Sequence, residues 1–382
     1  MPTFLLHGQA PYQIRQPDRI PTPRLIIFKD RVADNLRRMR SYLEEIAPAS
    51  GFQHLCPHIK TNKSSLVTKM LVNAGIRSLK TTMREVDIAI AAGAAEIFIA
   101  YPLLAHDAER LAVLIQQNPQ IEFLVQIGSL AHAEILRRIG AATNVAWQYL
   151  IDLDVGMHRT GVAPAAALHL YQELSGWHDF QFLGLHGYNG HIHHPSASER
   201  LQHTQRAMGL LLEVTSAFQQ IGVNVARVIV AGSQTFRFDL NILLEALPPP
   251  THVQVSPGTW VYWDSGYDAL APGEFDIAAL ILTQVIEVGD ENRITLNLGH
   301  KRWAADQGPV NLFSCAGMEV VKFSEEHTVI AHPASMRFSV GDYVLIAPKH
   351  VCPTVNLYEE FTLINAEGEI ENTAVPVDGR NR

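Results

Sequence analysis

Three cysteines in 382 residues, Cys56, Cys315 and Cys352, are too few and too scattered for a disulfide framework, and they point to a reducing compartment. No basic run appears and the net charge is −8, which argues against nucleic acid as a partner. No apolar run reaches the roughly 20 residues of a membrane span. The opening stretch, MPTFLLHGQAPYQIRQP, lacks a basic segment followed by a long apolar core, so no signal peptide is expected. Internal repeats and low-complexity segments are missing as well. What remains is an ordinary globular composition, 47% hydrophobic and 18% charged, with length enough for two domains and a large core. A cytoplasmic enzyme with no membrane partner is the expectation.

After a Pro-rich start over residues 1–22, PRLIIFK (23–29) reads as a strand and the following DRVADNLRRMRSYLEEIA as an amphipathic helix with Asp30 as N-cap. An alternation then begins. Short apolar runs at 52–58, 78–82, 96–100, 122–127, 146–154, 180–188, 227–232 and 252–257 are separated by helical patterns, several ending in Gly or Asn. Eight strands with intervening helices over roughly 200 residues is the count for a (β/α)8 TIM barrel, with an open doubly wound sheet as the alternative. Beyond about residue 265 helical periodicity fades. Strand-like runs joined by turn signals take over, including a hairpin-like GDEN connection, so the α/β barrel is followed by a mostly-β domain. The expected division is a barrel over 23–265 and a β-rich domain over 266–382, with 1–22 packing on the latter.

In such a barrel, functional groups gather just after the strands, at the carboxyl-terminal face. Lys60, in CPHIKTNK, follows the first run, where a desolvated amine can form a Schiff base with a carbonyl. DVGMHRTGV after the fifth brings His158 and Arg159, and HGYNGHIHH after the sixth brings His186, Tyr188 and His191. AGSQT (231–235) and SPGT (256–259) follow the seventh and eighth, offering Gly232, Ser233, Thr235, Gly258 and Thr259. Singly these are turn residues. Together, in the two loops where barrels often bind phosphate, they point to pyridoxal 5′-phosphate facing Lys60. Arg159, which cannot lose its proton, could donate to the cofactor's ring heteroatoms or form a rim salt bridge; Tyr188 could stack on or hydrogen-bond to the ring.

In KHVCPT (349–354), His350 and Cys352 would point the same way in an extended segment. Imidazole plus thiolate is a zinc-type pair that leaves positions open for substrate, although spacing alone reads rather as a buried cysteine beside an incidental histidine. HGYNGHIHH is a lesser metal candidate. Cys56 and Cys315 read as core residues.

The chain resembles the metal-activated pyridoxal-phosphate enzymes of the alanine-racemase-type fold (PLP fold type III), the group that includes D-threonine aldolase and eukaryotic-type D-serine dehydratase. PTPRLIIFKDRVADNLRRM, PHIKTNK, DVGMHRTGV, GLHGYNGHIHH, PGTWVYWD and KHVCPTVNL follow the family's order over almost the whole chain. Cys56 and Asn62 stand where the family commonly has Arg and His. The resemblance implies Lys60 as the Schiff-base lysine, and His350 and Cys352 as ligands of a divalent metal, zinc or alternatively manganese. It also implies a lyase for small D-3-hydroxy amino acids, working by dehydration (slightly favoured, from the His-x-Cys pair and AGSQT) or by retro-aldol cleavage. A homodimer is implied too, with Asp306 a candidate for reaching a site near the subunit boundary. The alternatives are a racemase on the same fold and a non-catalytic pyridoxal-phosphate-binding homeostasis protein.

Overall fold

β1 (Arg24–Phe28) pairs with late strands of the chain, antiparallel to β9 (Ala279–Gly289) and parallel to β14 (Glu360–Ile364). Strands β2 (Ser78–Thr81), β3 (Glu96–Ile99), β4 (Glu122–Ile127), β5 (Trp147–Leu153), β6 (Phe180–Gly187), β7 (Arg227–Val230) and β8 (His252–Val255) pair in parallel, each with the next. In this computed structural model, residues 3–6, 9–230, 232–309 and 312–381 are described. The chain divides into two compact units: Met1–Met39, Thr61–Val67 and Thr259–Arg382 form one, Arg40–Lys60 and Thr68–Gly258 the other.

The second unit holds the parallel strands. The expected first barrel strand, 52–58, is not a regular strand. Two isolated parallel bridges take its place, Leu55 with Val255 of β8 and His58 with Lys80 of β2. Cys56 N–H donates to Val255 O (2.9 Å) and Lys80 N–H to Pro57 O (3.0 Å), so this segment occupies the eighth position between the first and last strands. Pro57 explains the irregularity, because it has no N–H to give a ladder. Cys56, Phe98, Leu124, Leu150 and Ile229 form one apolar cluster of fully buried side chains, the larger ones contributing about 1.5–3 kcal/mol each. The helices start and stop as their termini dictate. Ser129 caps Leu130–Thr143 by accepting from His132 N–H, and Asn144 ends it in the left-handed conformation.

Gly184 marks a register shift between β5 and β6. A Cβ there would collide with the backbone carbonyl of Arg227 on β7, so Gly184→Ala must push two strands apart. The expected cost is about 3 kcal/mol, read as a lower midpoint of urea unfolding.

The first unit carries a mixed sheet. β10 (Arg293–Leu296) follows β9 through a turn in which Glu291 and Asn292 both have positive φ, the hairpin geometry foreseen for GDEN. β11 (Glu319–Phe323) and β12 (Thr328–Ala331) extend that edge, β13 (Tyr343–Ala347) pairs with β9, and β15 (Ile370–Pro376) pairs with β14. The first long helix runs Lys29–Ile46, so Asp30 lies inside its first turn and is not its N-cap. Cys56 is fully buried as expected, but Cys315 is only partly buried, beyond β13's neighbours in a loop. Among the described residues no helix is long and apolar enough to cross a membrane.

Candidate functional site

Three cationic side chains converge on one aromatic ring at the carboxyl-terminal ends of the barrel strands. Arg159 Cζ lies 4.9 Å from the centroid of Tyr188, Lys80 Nζ 5.7 Å and Lys60 Nζ 5.8 Å, all within cation–π range. Lys60 directly follows the bridging segment, with its N–H 3.3 Å from His58 Nδ1. Arg159 is held out by a folded loop. Asp154 accepts from Gly156 N–H (3.0 Å), from His158 N–H (2.9 Å) and from the His158 ring (2.8 Å), and Val162 N–H returns to Asp152 O (2.8 Å). Gly190 lies so close to the Tyr188 ring that a Cβ would overlap it, while one on Gly232 would stop 3.6 Å from Cε2 of that ring.

Lys80 was not foreseen as a site residue. It sits on β2 and is 3% exposed. Its Nζ is 2.7 Å from His186 Nε2 and 3.0 Å from Ser256 Oγ. His186 Nδ1 is 2.7 Å from Asp152 Oδ1, and Asp152 Oδ2 accepts from Gln126 (3.2 Å) and Thr160 (3.1 Å). Burial lowers the Lys80 amine to about 7, with Lys60 and Arg159 adding to the effect and Cys56 and Asp152 opposing it. Burial, then the Lys80 charge, lowers His186 to about 4 against the pull of Asp152. Near neutrality His186 is therefore uncharged, its Nδ1–H donating to Asp152 and its Nε2 accepting from Lys80. The signal that could have found Lys80 and Asp152 is a charged residue inside a strand buried on both faces.

The phosphate candidates fall into two groups. Gly232 N–H donates to Asn189 Oδ1 (3.1 Å), as does the Thr235 hydroxyl (3.2 Å), and Gly258 N–H donates to Ser233 Oγ (3.2 Å). Ala231, first residue of the expected loop, lies outside the described residues. Asn189 is itself fixed by donating to Asp239 (2.8 Å), a fully buried carboxyl that burial pushes up to about 7. Because Thr235 turns its hydroxyl to Asn189, it makes no capping bond to the helix it precedes, Phe236–Ala246. A helix N-terminus whose preceding loop packs Gly232 against the Tyr188 ring fits the phosphate of an anionic ring ligand. Thr259 belongs to the other unit, where its hydroxyl lies 3.7 Å from Cys352 Sγ.

In that unit, His350 and Cys352 come together, but not through an extended segment. Cys352 lies in the first turn of a short helix, Val351–Asn356, with His350 at its N-cap. Pro353 suits a first turn, and Asp264 Oδ2 accepts from Val351 N–H (2.9 Å), supplying the cap. His350 Nδ1 is 2.6 Å from Asp306 Oδ2 and 3.3 Å from Gln307 Nε2, and Thr61 Oγ1 is 3.1 Å from Cys352 Sγ. Burial would lower His350, but its hydrogen bonds with Cys352 and Asp306 outweigh it and push the imidazole up to about 9. Among the described residues no three His, Cys, Asp or Glu side chains stand ready to hold a metal ion. The pair nevertheless fits one: a nitrogen and a sulfur donor adjacent, with a carboxylate oriented on the imidazole as metal-bound histidines usually have. HGYNGHIHH shows no such set; there His194 stacks on His203 at 4.2 Å.

Known proteins share this build. A D-threonine aldolase of Arthrobacter sp. is 23% identical over 361 residues, covering 93% of this chain and 91% of the aldolase. A D-threo-3-hydroxyaspartate dehydratase of Delftia sp. is 22% identical over 379 residues, covering 92% and 96%. The crystal structure of D-threonine aldolase from Filomicrobium marinum superposes with a TM-score of 0.83 at 22% identity, covering 100% of this chain and 98% of that one. Residues 278–364 match the putative serine dehydratase domain, and residues 27–271 match the alanine racemase N-terminal domain. The chain belongs to the family of the alanine racemase N-terminal domain, in the form that continues into a serine dehydratase domain.

Proposed function

We propose that this chain is a lyase dependent on pyridoxal 5′-phosphate and a divalent metal, acting on small D-3-hydroxy amino acids as a homodimer. The observation that carries this reading is the convergence of Lys60, Lys80 and Arg159 on Tyr188, a site built for an anionic aromatic ligand. Its relatives, an aldolase and a dehydratase, bracket the reaction class.

When bound, the cofactor supplies an electron sink for a carbanion at the substrate's α-carbon. Lys60 would anchor it, and its amine would serve as the group that takes up and returns a proton at Nζ. Arg159 donates at a ring heteroatom and Tyr188 packs on the ring. Ser233, Thr235 and the start of Phe236–Ala246 would hold the phosphate, with Asn189 and Gly232 shaping the loop. His350 and Cys352 would hold the metal, zinc in preference to manganese given a thiolate ligand, and it would supply Lewis acidity towards a hydroxyl. Asp306 orients His350. The imidazole–thiol pair is surplus to a racemase and to a homeostasis protein.

The His-x-Cys pair and the AGSQT loop favour dehydration over aldol cleavage. Incubating the metal-loaded holoenzyme with D-serine, D-threonine and D-threo-3-hydroxyaspartate is expected to release ammonia and a 2-oxo acid. Glycine and an aldehyde in their place would make it an aldolase, and racemised substrate with neither product would overturn the lyase reading.

A further inference from the structure

We propose that Lys80 is a positioning residue of the cofactor pocket, a cation that the Asp152–His186 pair holds beneath Tyr188 so that the site's positive charge, and with it affinity for an anionic ring ligand, is switched by pH. The inference rests on the cofactor reading above and adds a residue and a pH dependence to it.

The geometry is specific. Lys80 leaves its barrel strand beside Phe98, and its amine ends 2.7 Å from His186 Nε2 and 3.0 Å from Ser256 Oγ. His186 is pinned by Asp152 at 2.7 Å, and both side chains are buried, each residue 3% exposed. The groups facing Lys80 are Phe98 on β3, His186 on β6, Tyr188 after it and Ser256 after β8, with Cys56, Lys60, Asp152 and Arg159 acting through space. Burial is the largest influence against the ammonium; Cys56 and Asp152 favour it, and Lys60 and Arg159 oppose it. Such an amine loses its proton near neutrality when the site is empty. An anion bound nearby favours the ammonium and raises that pKa. Binding therefore takes up a proton above pH about 7, and the contribution of Lys80 to affinity is complete at lower pH and fades as pH climbs through the bound-state pKa.

Pyridoxine 5′-phosphate tests this without covalent chemistry, because it lacks the aldehyde that would react with Lys60. Its dissociation constant is measured by calorimetry from pH 6.5 to 9 for the wild type, Lys80→Met and Asp152→Asn, with thermal melts as folding controls. Losing one charge-assisted contact should weaken binding about 10–100-fold at pH 6.5, and the gap to wild type should close towards pH 9. Asp152→Asn should keep the low-pH affinity advantage but lose it at a lower pH, since the carboxylate that supports the ammonium is gone. If Lys80→Met does not fold, Lys80→Gln, which retains a donor for Ser256, serves in its place. A gap that is absent, or constant across pH, overturns the role of Lys80 while leaving the cofactor reading intact. A wild type that binds neither this probe nor pyridoxal 5′-phosphate overturns both.

Discussion

Lys60→Ala should leave a folded protein that no longer turns over. The loss expected from removing the proton-accepting amine alone is about 10²–10⁴-fold in kcat, and the loss of the anchoring amine adds to it. The reason is positional. Lys60 is partly exposed and faces the Tyr188 ring at 5.8 Å, so it is accessible to a carbonyl, whereas Lys80 is buried with two hydrogen-bond partners. The two lysines are the natural competitors for the anchoring role, and borohydride reduction followed by peptide mass spectrometry separates them. The wild type should carry a pyridoxyl label on the peptide containing Lys60. The variant should carry none and should still bind pyridoxal 5′-phosphate through the remaining contacts, because the phosphate-facing residues and Arg159 are untouched. A label on Lys80 in the wild type, or turnover retained in Lys60→Ala, would reassign the chemistry.

Lys60 and Lys80 also show where sequence reading succeeds and where it stops. A barrel strand buried on both faces is written as a short apolar run, so seven of the eight positions could be placed from such runs alone. The eighth, around Cys56, was read as a strand on the same pattern, yet Pro57 withdraws an N–H and leaves two bridges. A lysine just after a run is conspicuous because loops at that end carry function. Lys80 inside SLKT is a charge in a strand buried on both faces, but its partner His186 comes from 106 residues away and is set against it only by the closure of the barrel. The same holds for the histidine–cysteine pair. Two residues apart, they suggested an extended strand, but the backbone there is helical because Asp264, 87 residues earlier, caps it. Asp306 meets His350 of its own chain, 44 residues on, a pairing that no local pattern announces. Charge partners brought together by tertiary structure leave no periodic trace, whereas apolar faces do.

That meeting sets up the second large effect. If His350 and Cys352 hold a catalytic metal, Cys352→Ala should purify with far less than one metal per chain and lose at least about 10²-fold in kcat, since removing a ligand should exceed the 10–100-fold typical of an outer partner. Asp306→Asn probes that outer partner: it should weaken metal affinity about 10–100-fold while leaving kcat near normal at saturating metal. The contrast is informative because the neighbourhood is otherwise built to survive. Cys352 is only partly buried, its contacts with Thr61 (3.1 Å) and Thr259 (3.7 Å) are weak sulfur hydrogen bonds, and the helix cap comes from Asp264 and the Val351 backbone. A cysteine with a packing role alone would therefore show a lowered melting temperature and unchanged turnover after correction for folded protein. A ligand would show the reverse. Dialysis of the wild type against a chelator should reproduce the Cys352→Ala loss, and zinc or manganese should restore activity to the wild type but not to the variant. Turnover that survives both the substitution and the chelator would remove the metal from the reaction, and leave His350 with Asp306 as an imidazolium–carboxylate pair with a purely structural role.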